Sequence, residues 1–368
     1  MNSPLSNSNC VRIDVAAGAR TYPVLIGQRL LPRLGELLDG LGIGSARLVV
    51  SSAPIWRHHG RSVGGSFDSP EPILLPDGER FKNLQTVARL YEALIRAGAD
   101  RAATLVVVGG GVLGDLAGFA AATYLRGIGL VQIPTTLLAQ VDSSVGGKVG
   151  VNHALGKNLI GAFYPPAAVI ADTDTLDSLP RRELRAGLYE VVKYGVIASR
   201  GLFDRVGHDL SAIFARDASV LIPVVAECCR IKARIVGADE REAGPRRVLN
   251  FGHTVGHALE AITKYRRFRH GEAIAYGMLA AADVAARRGA LTGADRDALG
   301  RLIVQMGPLP PVADLSIRDA LGAINRDKKM VAGRLHFVVA TAIGATEIVS
   351  DVSEKDLRQA MASIGMAP

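Results

Sequence analysis

At 368 residues and 48% hydrophobic content the chain is long for a single core, so two domains are expected. Its net charge of +8 is uneven: residues 1–180 hold 15 Lys and Arg against 14 Asp and Glu, the remainder 28 against 21, so the second half favours anions. Three cysteines with no CxxC pair, two of them the neighbours Cys228 and Cys229, exclude a disulfide framework and a thiolate zinc site, and the longest apolar stretch, 273–286, falls short of the roughly 20 residues that span a bilayer.

The polar opening MNSPLSNSNC lacks the basic and apolar segments of a secretory signal, so a ragged terminus is expected, with the mature protein beginning near Val11, and the cysteine usage points to the reducing cytoplasm. Short β-branched runs at 46–51 (ARLVVS) and 104–108 (TLVVV) alternate with helix-period stretches such as 84–97, which predicts α/β order.

The run TLVVVGGGVLGDLAG at 104–118 reads as strand, glycine turn, helix. Gly109, Gly111 and Gly114 satisfy GxGxxG, a pattern whose bare backbone approaches a pyrophosphate at the positive end of a helix. The acid expected about 20 residues further on is absent around Gly129, which argues against a standard dinucleotide domain. Taken alone, the loop has a competing reading as a tight turn with no ligand.

After Pro180 apolar residues recur every three or four positions over 183–195, 220–236, 254–262 and 272–288, predicting helices. A strand-like exception at 333–349 would form a small hairpin. The change of texture divides the chain at residues 1–179 and 180–368, with Pro180 opening a helix.

Glu190, His253, His257 and His270 lie in otherwise apolar, helix-like surroundings. One Glu and two His make an open three-ligand site suited to a catalytic zinc. Thr254 follows His253 where a zinc peptidase would carry its general-base Glu, so peptidase chemistry is disfavoured. A single histidine of this kind is more often a core or surface imidazole, but three fall within 18 residues.

Motifs in order along the chain are PDGERFK at 76–82, GGGVLGDLAGFAAATYLRG at 109–127, PTTLLAQVDSSVGGKVGVNHALGKNLIG at 134–161, LPRRELRAGLYEVVKYG at 179–195, RRVLNFGHTVGHALE at 246–260 and HGEAIAYGM at 270–278. Together they resemble the 3-dehydroquinate synthase family of sugar phosphate cyclases, over about residues 75–340. The resemblance implies an α/β N-terminal nucleotide-binding domain and a mostly α-helical C-terminal metal and substrate domain.

It also implies site residues. Zinc, or cobalt in its place, falls to Glu190, His253 and His270. NAD contacts fall to Glu79, Lys82, Gly111, Asp115, Thr135 and Thr136, with Asp142, Lys148 and Lys157 nearer the reacting end. Substrate contacts fall to Asp142, Lys148, Lys157, Asn158, Lys193, Lys232, Arg246, Asn250 and His257, with Lys328 or Lys329 added. Of these, Lys148, Lys193, Lys232, Arg246, Asn250 and His257 carry the chemistry. Arg126 matches an arginine that reaches a neighbouring subunit's phosphate site, which implies a homodimer. Ser51, Ser52 and Ala53 stand where relatives commonly carry an Asn or Asp that helps hold the adenosine.

The implied activity is a phosphate-eliminating lyase of the shikimate pathway, which makes aromatic amino acid precursors. It turns 3-deoxy-D-arabino-heptulosonate 7-phosphate into 3-dehydroquinate through oxidation by NAD, elimination, re-reduction and an internal aldol closure. The alternatives are a related cyclase of secondary metabolism and a net NAD-dependent polyol dehydrogenase. The basic cluster Lys264, Arg266, Arg267 and Arg269 reads as a solvated loop. A phosphorylated sugar acid is thus the expected partner, with neither nucleic acid nor membrane.

Overall fold

The computed structural model describes residues 10–18, 20–67, 71–242, 244–326, 330–331 and 334–368. Strands β1 (Cys10–Ala17), β2 (Arg20–Gly27), β3 (Arg47–Ser51), β4 (Ile73–Leu74), β5 (Thr104–Gly109) and β6 (Gly129–Pro134) precede a hairpin of β7 (Lys148–His153) and β8 (Gly156–Phe163), and β9 (Ala168–Asp172) follows it. Seven of these form one sheet in the order β1-β2-β9-β6-β5-β3-β4, parallel throughout except for the β1–β2 hairpin.

Helices α1 (Leu34–Gly40), α2 (Ala53–Gly64), α3 (Leu84–Arg96) and α4 (Gly111–Thr123) connect the strands. Every residue of β5 is buried, as a continuous apolar run requires when both faces of a parallel sheet are covered. Its side chains alternate between two cores: Leu105 and Val107 pack with Val87, Leu90 and Leu116, while Val106 and Val108 pack with Leu34, Leu38 and Ile133. Asn83 starts α3 by accepting a hydrogen bond from the Thr86 amide at 2.9 Å, which supplies one of the acceptors a helix start lacks.

From Arg181 the chain is mainly helical: α5 (Arg181–Ala198), α6 (Arg200–His208), α7 (Leu210–Phe214), α8 (Ala218–Ala238), α9 (His253–Ile262), α10 (His270–Arg287), α11 (Gly293–Met306) and α12 (Ile317–Arg326). Four strands follow, β10 (Met330–Val331) paired with β11 (Arg334–Leu335), then β12 (Phe337–Ala342) paired with β13 (Ala345–Val349), before α13 (Glu354–Ser363).

The described residues fall into two compact units. The sheet unit comprises the chain up to Pro180 together with Arg216–Arg241, because α8 packs back against β1 and β2. The helical unit comprises Arg181–Ala215 and the chain from Glu242 onward, with α10 at its centre against α5, α9 and α13. Among the described residues no helix is long and apolar enough to cross a membrane, and Cys10, Cys228 and Cys229 are in no disulfide.

Candidate active site

In the sheet unit, β5 ends at Gly109 and α4 begins at Gly111, so the three-glycine turn opens directly onto a helix N-terminus. A side chain at Gly111 would place its Cβ 2.7 Å from Ser143 Oγ, so this close approach needs bare backbone. The Thr135 amide donates to the Gly109 carbonyl at 3.0 Å, which sets Thr135 and Thr136 beside the turn.

One turn into α4, Asp115 accepts a hydrogen bond from Lys82 Nζ at 2.5 Å, and the same ammonium donates to Asn158 Oδ1 at 2.7 Å. Lys82 is 5% exposed, a burial that an ammonium tolerates only when paired and hydrogen-bonded. Burial pushes the Asp115 carboxyl above its ordinary range despite Lys82 beside it. Glu79 goes the other way: burial raises it, but Lys157, 3.5 Å away, and Lys82 together hold it below that range. The hairpin of β7 and β8 delivers Lys157 and Asn158 to this cluster. It also delivers Asn152, whose Nδ2 donates to Glu79 Oε1 at 2.7 Å, a partnership that the motif around Asn152 does not reveal.

Asp142 lies on a short π-helical turn, Ala139–Ser143, a local distortion that often marks a functional segment. Lys232 on α8 donates both to its Oδ1 and to its backbone carbonyl. Lys148 opens β7 in an exposed position. Arg126 ends the Tyr124–Arg126 turn with a φ of 68°, beyond the far end of α4 and so about 20 Å along that helix from Gly111.

In the helical unit, Glu190 and Lys193 stand one turn apart on α5, both buried and in contact through Glu190 Oε2. His253 and His257 share a face of α9, and His270 is the first residue of α10. Two glycines allow these helices to approach. A Cβ at Gly271 would lie 1.9 Å from the Ala186 carbonyl of α5, and one at Gly277 would lie 1.7 Å from the Gly252 carbonyl that precedes α9. The three imidazoles cluster, with ring centres 5.2 Å apart for His253 and His257 and 5.4 Å apart for His253 and His270.

Donor atoms of Glu190, His253 and His270 all lie within 4.8 Å of one another. Glu190 Oε1 is 3.8 Å from His253 Nε2 and 3.5 Å from His270 Nε2. Tetrahedral ligands at about 2.0–2.2 Å from zinc stand about 3.3–3.6 Å apart, so this group fits a zinc ion with small adjustment. His253 Nδ1 donates to the Phe251 carbonyl at 3.1 Å and His270 Nδ1 to Glu260 Oε2 at 3.3 Å, so each ring turns its Nε2 toward Glu190. Burial disfavours a charged His270, yet Glu260 and Glu190 push its pKa up to about 10, a field that equally favours a divalent cation.

Arg246 and Asn250 lie on the 3-10 turn Pro245–Asn250; Arg246 is 2% exposed, and Asn250 Nδ2 donates to Glu242 Oε1 at 2.5 Å. Glu242 and Glu260 are not among the residues expected from the sequence, although Glu260 sits seven residues after His253, on the same helix face. In the basic cluster Arg267 forks onto Asp314 at 2.6 and 2.8 Å and Arg269 pairs with Glu183. Lys328 and Lys329 lie outside the described residues.

Residues 72–186 match the profile of the 3-dehydroquinate synthase N-terminal domain and residues 187–330 that of its C-terminal domain. A 3-dehydroquinate synthase of Pelotomaculum thermopropionicum is 45% identical over 350 residues, which cover 94% of each chain. Among solved structures, a 2-epi-5-epi-valiolone synthase of Streptomyces hygroscopicus with NAD+ and Zn2+ bound superposes with a TM-score of 0.86 at 27% identity, covering 95% of this chain and 98% of its own. A 2-deoxy-scyllo-inosose synthase complexed with carbaglucose-6-phosphate, NAD+ and Co2+ gives 0.85 at 26% identity, covering 96% of this chain and all of its own.

Proposed function

The chain belongs to the 3-dehydroquinate synthase family, and we propose on that premise that it converts 3-deoxy-D-arabino-heptulosonate 7-phosphate into 3-dehydroquinate and phosphate. The observation that carries this reading is a buried lysine set against a three-donor metal group, Lys193 and Glu190 on one turn of α5 with His253 and His270 beside the carboxylate. That arrangement suits metal-assisted chemistry on an anionic substrate. The 45% identity to a 3-dehydroquinate synthase, against 26–27% to cyclases of other sugars, selects the substrate.

In the sheet unit Glu79, Lys82, Gly111, Asp115, Thr135 and Thr136 would hold NAD, with Asp142, Lys148 and Lys157 nearer its reacting end. In the helical unit Glu190, His253 and His270 would hold zinc, or cobalt in its place. When bound, these groups supply a hydride acceptor that returns what it takes and a Lewis acid that acidifies a hydroxyl and polarises a carbonyl.

The chain's own side chains supply charge and orientation. Lys148, Lys157, Asn158, Lys193, Lys232, Arg246, Asn250 and His257 would bind phosphate and carboxylate oxygens. Such charge-assisted bonds strengthen as negative charge gathers on the departing phosphate. Asp142 holds the Lys232 ammonium in place for this task. Lys328 or Lys329 would add a further cation.

Arg126, exposed and a helix length from the glycine turn, would serve a neighbouring subunit, so the working form is a homodimer. Cysteines in no disulfide and the family's biosynthetic role support a cytoplasmic setting.

The test is a product assay with purified protein, zinc and a trace of NAD. Phosphate and 3-dehydroquinate should appear in equal amounts over many turnovers with no growth in NADH absorbance. NADH rising in step with product would replace this reading with a net dehydrogenase.

A further inference from the structure

We infer that Glu260 is a positioning residue for the metal ligand His270, aiming Nε2 at the metal by accepting the Nδ1 proton. This inference rests on the metal reading of Glu190, His253 and His270.

Helical spacing brings Glu260 to the site, since His253, His257 and Glu260 stand at i, i+4 and i+7 on α9 and share one face. Its side chain is buried, and a buried carboxylate needs a partner. His270 Nδ1 lies 3.3 Å from Glu260 Oε2, and the donor atoms of His257, Glu260 and His270 lie within 4.8 Å of one another. A carboxylate without its proton only accepts, so the Nδ1 proton stays on the ring and Nε2, 3.5 Å from Glu190 Oε1, is the nitrogen turned toward the other ligands.

The two ligand imidazoles are therefore held differently. His253 donates to the neutral carbonyl of Phe251, His270 to a charged side chain. A carboxylate acceptor makes the imidazole a stronger electron donor and adds negative charge to the site. That charge matters here because Lys193 engages Glu190 Oε2 and offsets part of the only anionic ligand.

The experiment measures zinc affinity by competition with a chromophoric chelator, and the visible spectrum after cobalt loading, for wild type and for Glu260→Ala, Glu260→Gln and His270→Ala. Glu260→Ala should weaken zinc binding by about 10- to 100-fold and shift the cobalt bands. Glu260→Gln keeps a carbonyl acceptor without the charge and should recover part of the affinity, above Glu260→Ala and below wild type. Adding Glu260→Ala to His270→Ala should cost little more than His270→Ala alone, because Glu260 acts through that ring. Wild-type affinity in Glu260→Ala, or fully additive losses in the double variant, would overturn the inference. If Glu260→Ala does not fold, Glu260→Asp, one methylene shorter, should show the weakening, and unchanged affinity there would overturn it equally. A wild-type protein that binds no zinc, or a His270→Ala variant that binds it normally, would instead remove the metal reading beneath it.

Discussion

Lys232 grips Asp142 twice across 90 residues of chain, with its ammonium 2.5 Å from Oδ1 and 2.6 Å from the backbone carbonyl of the same residue. The lysine side chain is 7% exposed and the aspartate 22%, so the pair sits largely out of water. Breaking such a pair from one side leaves an uncompensated charge. Lys232→Met should therefore lower stability by about 3 kcal/mol in urea titrations. Combining it with Asp142→Asn should restore part of that loss, and strict additivity of the two would show that the pair is not coupled.

Gly271→Ala should damage the helical unit and the metal group together. The added Cβ would stand 1.9 Å from the Ala186 carbonyl, so α10 must shift away from α5, carrying His270 from Glu190. Overpacking of this kind costs about 1–3 kcal/mol. A lowered melting temperature with weakened zinc binding is the expected pair of results, and a variant with wild-type values of both would contradict the close packing.

Arg246 should discriminate the sugar acid from a neutral sugar phosphate, because a guanidinium fork suits a planar carboxylate. Arg246→Ala should lose about 2 kcal/mol or more of transition-state stabilisation with 3-deoxy-D-arabino-heptulosonate 7-phosphate, read from kcat/KM. Sedoheptulose 7-phosphate should react poorly with the wild type. Preference for the neutral sugar, or an unchanged kcat/KM in the variant, would favour a secondary-metabolic cyclase.

Acid should weaken the helical unit through Glu272. Burial tends to raise its pKa, but the hydrogen bonds from Arg182 at 2.7 Å and from the Arg269 amide at 2.8 Å prevail, and the pKa falls below the ordinary 4.5. A depressed carboxylate stabilises the fold fully above its unfolded pKa and loses that contribution as pH falls through the folded value. The stability difference between wild type and Glu272→Gln should be flat above about pH 5 and shrink steadily below about pH 4. A difference that is constant down to pH 3 would remove Glu272 as the source.

Local patterns in the sequence determined much of this protein. The apolar run before three glycines dictates a buried strand and a bare turn, and a 3.6-residue period places His253, His257 and Glu260 on one face of α9 wherever that helix packs. Motif order along the chain was enough to indicate the family. Partnerships across long stretches of chain were decided only in three dimensions. Nothing in the helical period of 220–236 says that α8 returns to the sheet and hands Lys232 to Asp142. Nor does the spacing of Glu260 reveal that its acceptor faces His270, ten residues on and in another helix. Periodicity reports which side of an element is apolar, whereas the partner of a buried charge is set by which elements pack against it. That choice depended here on glycines small enough to bring α5, α9 and α10 within contact.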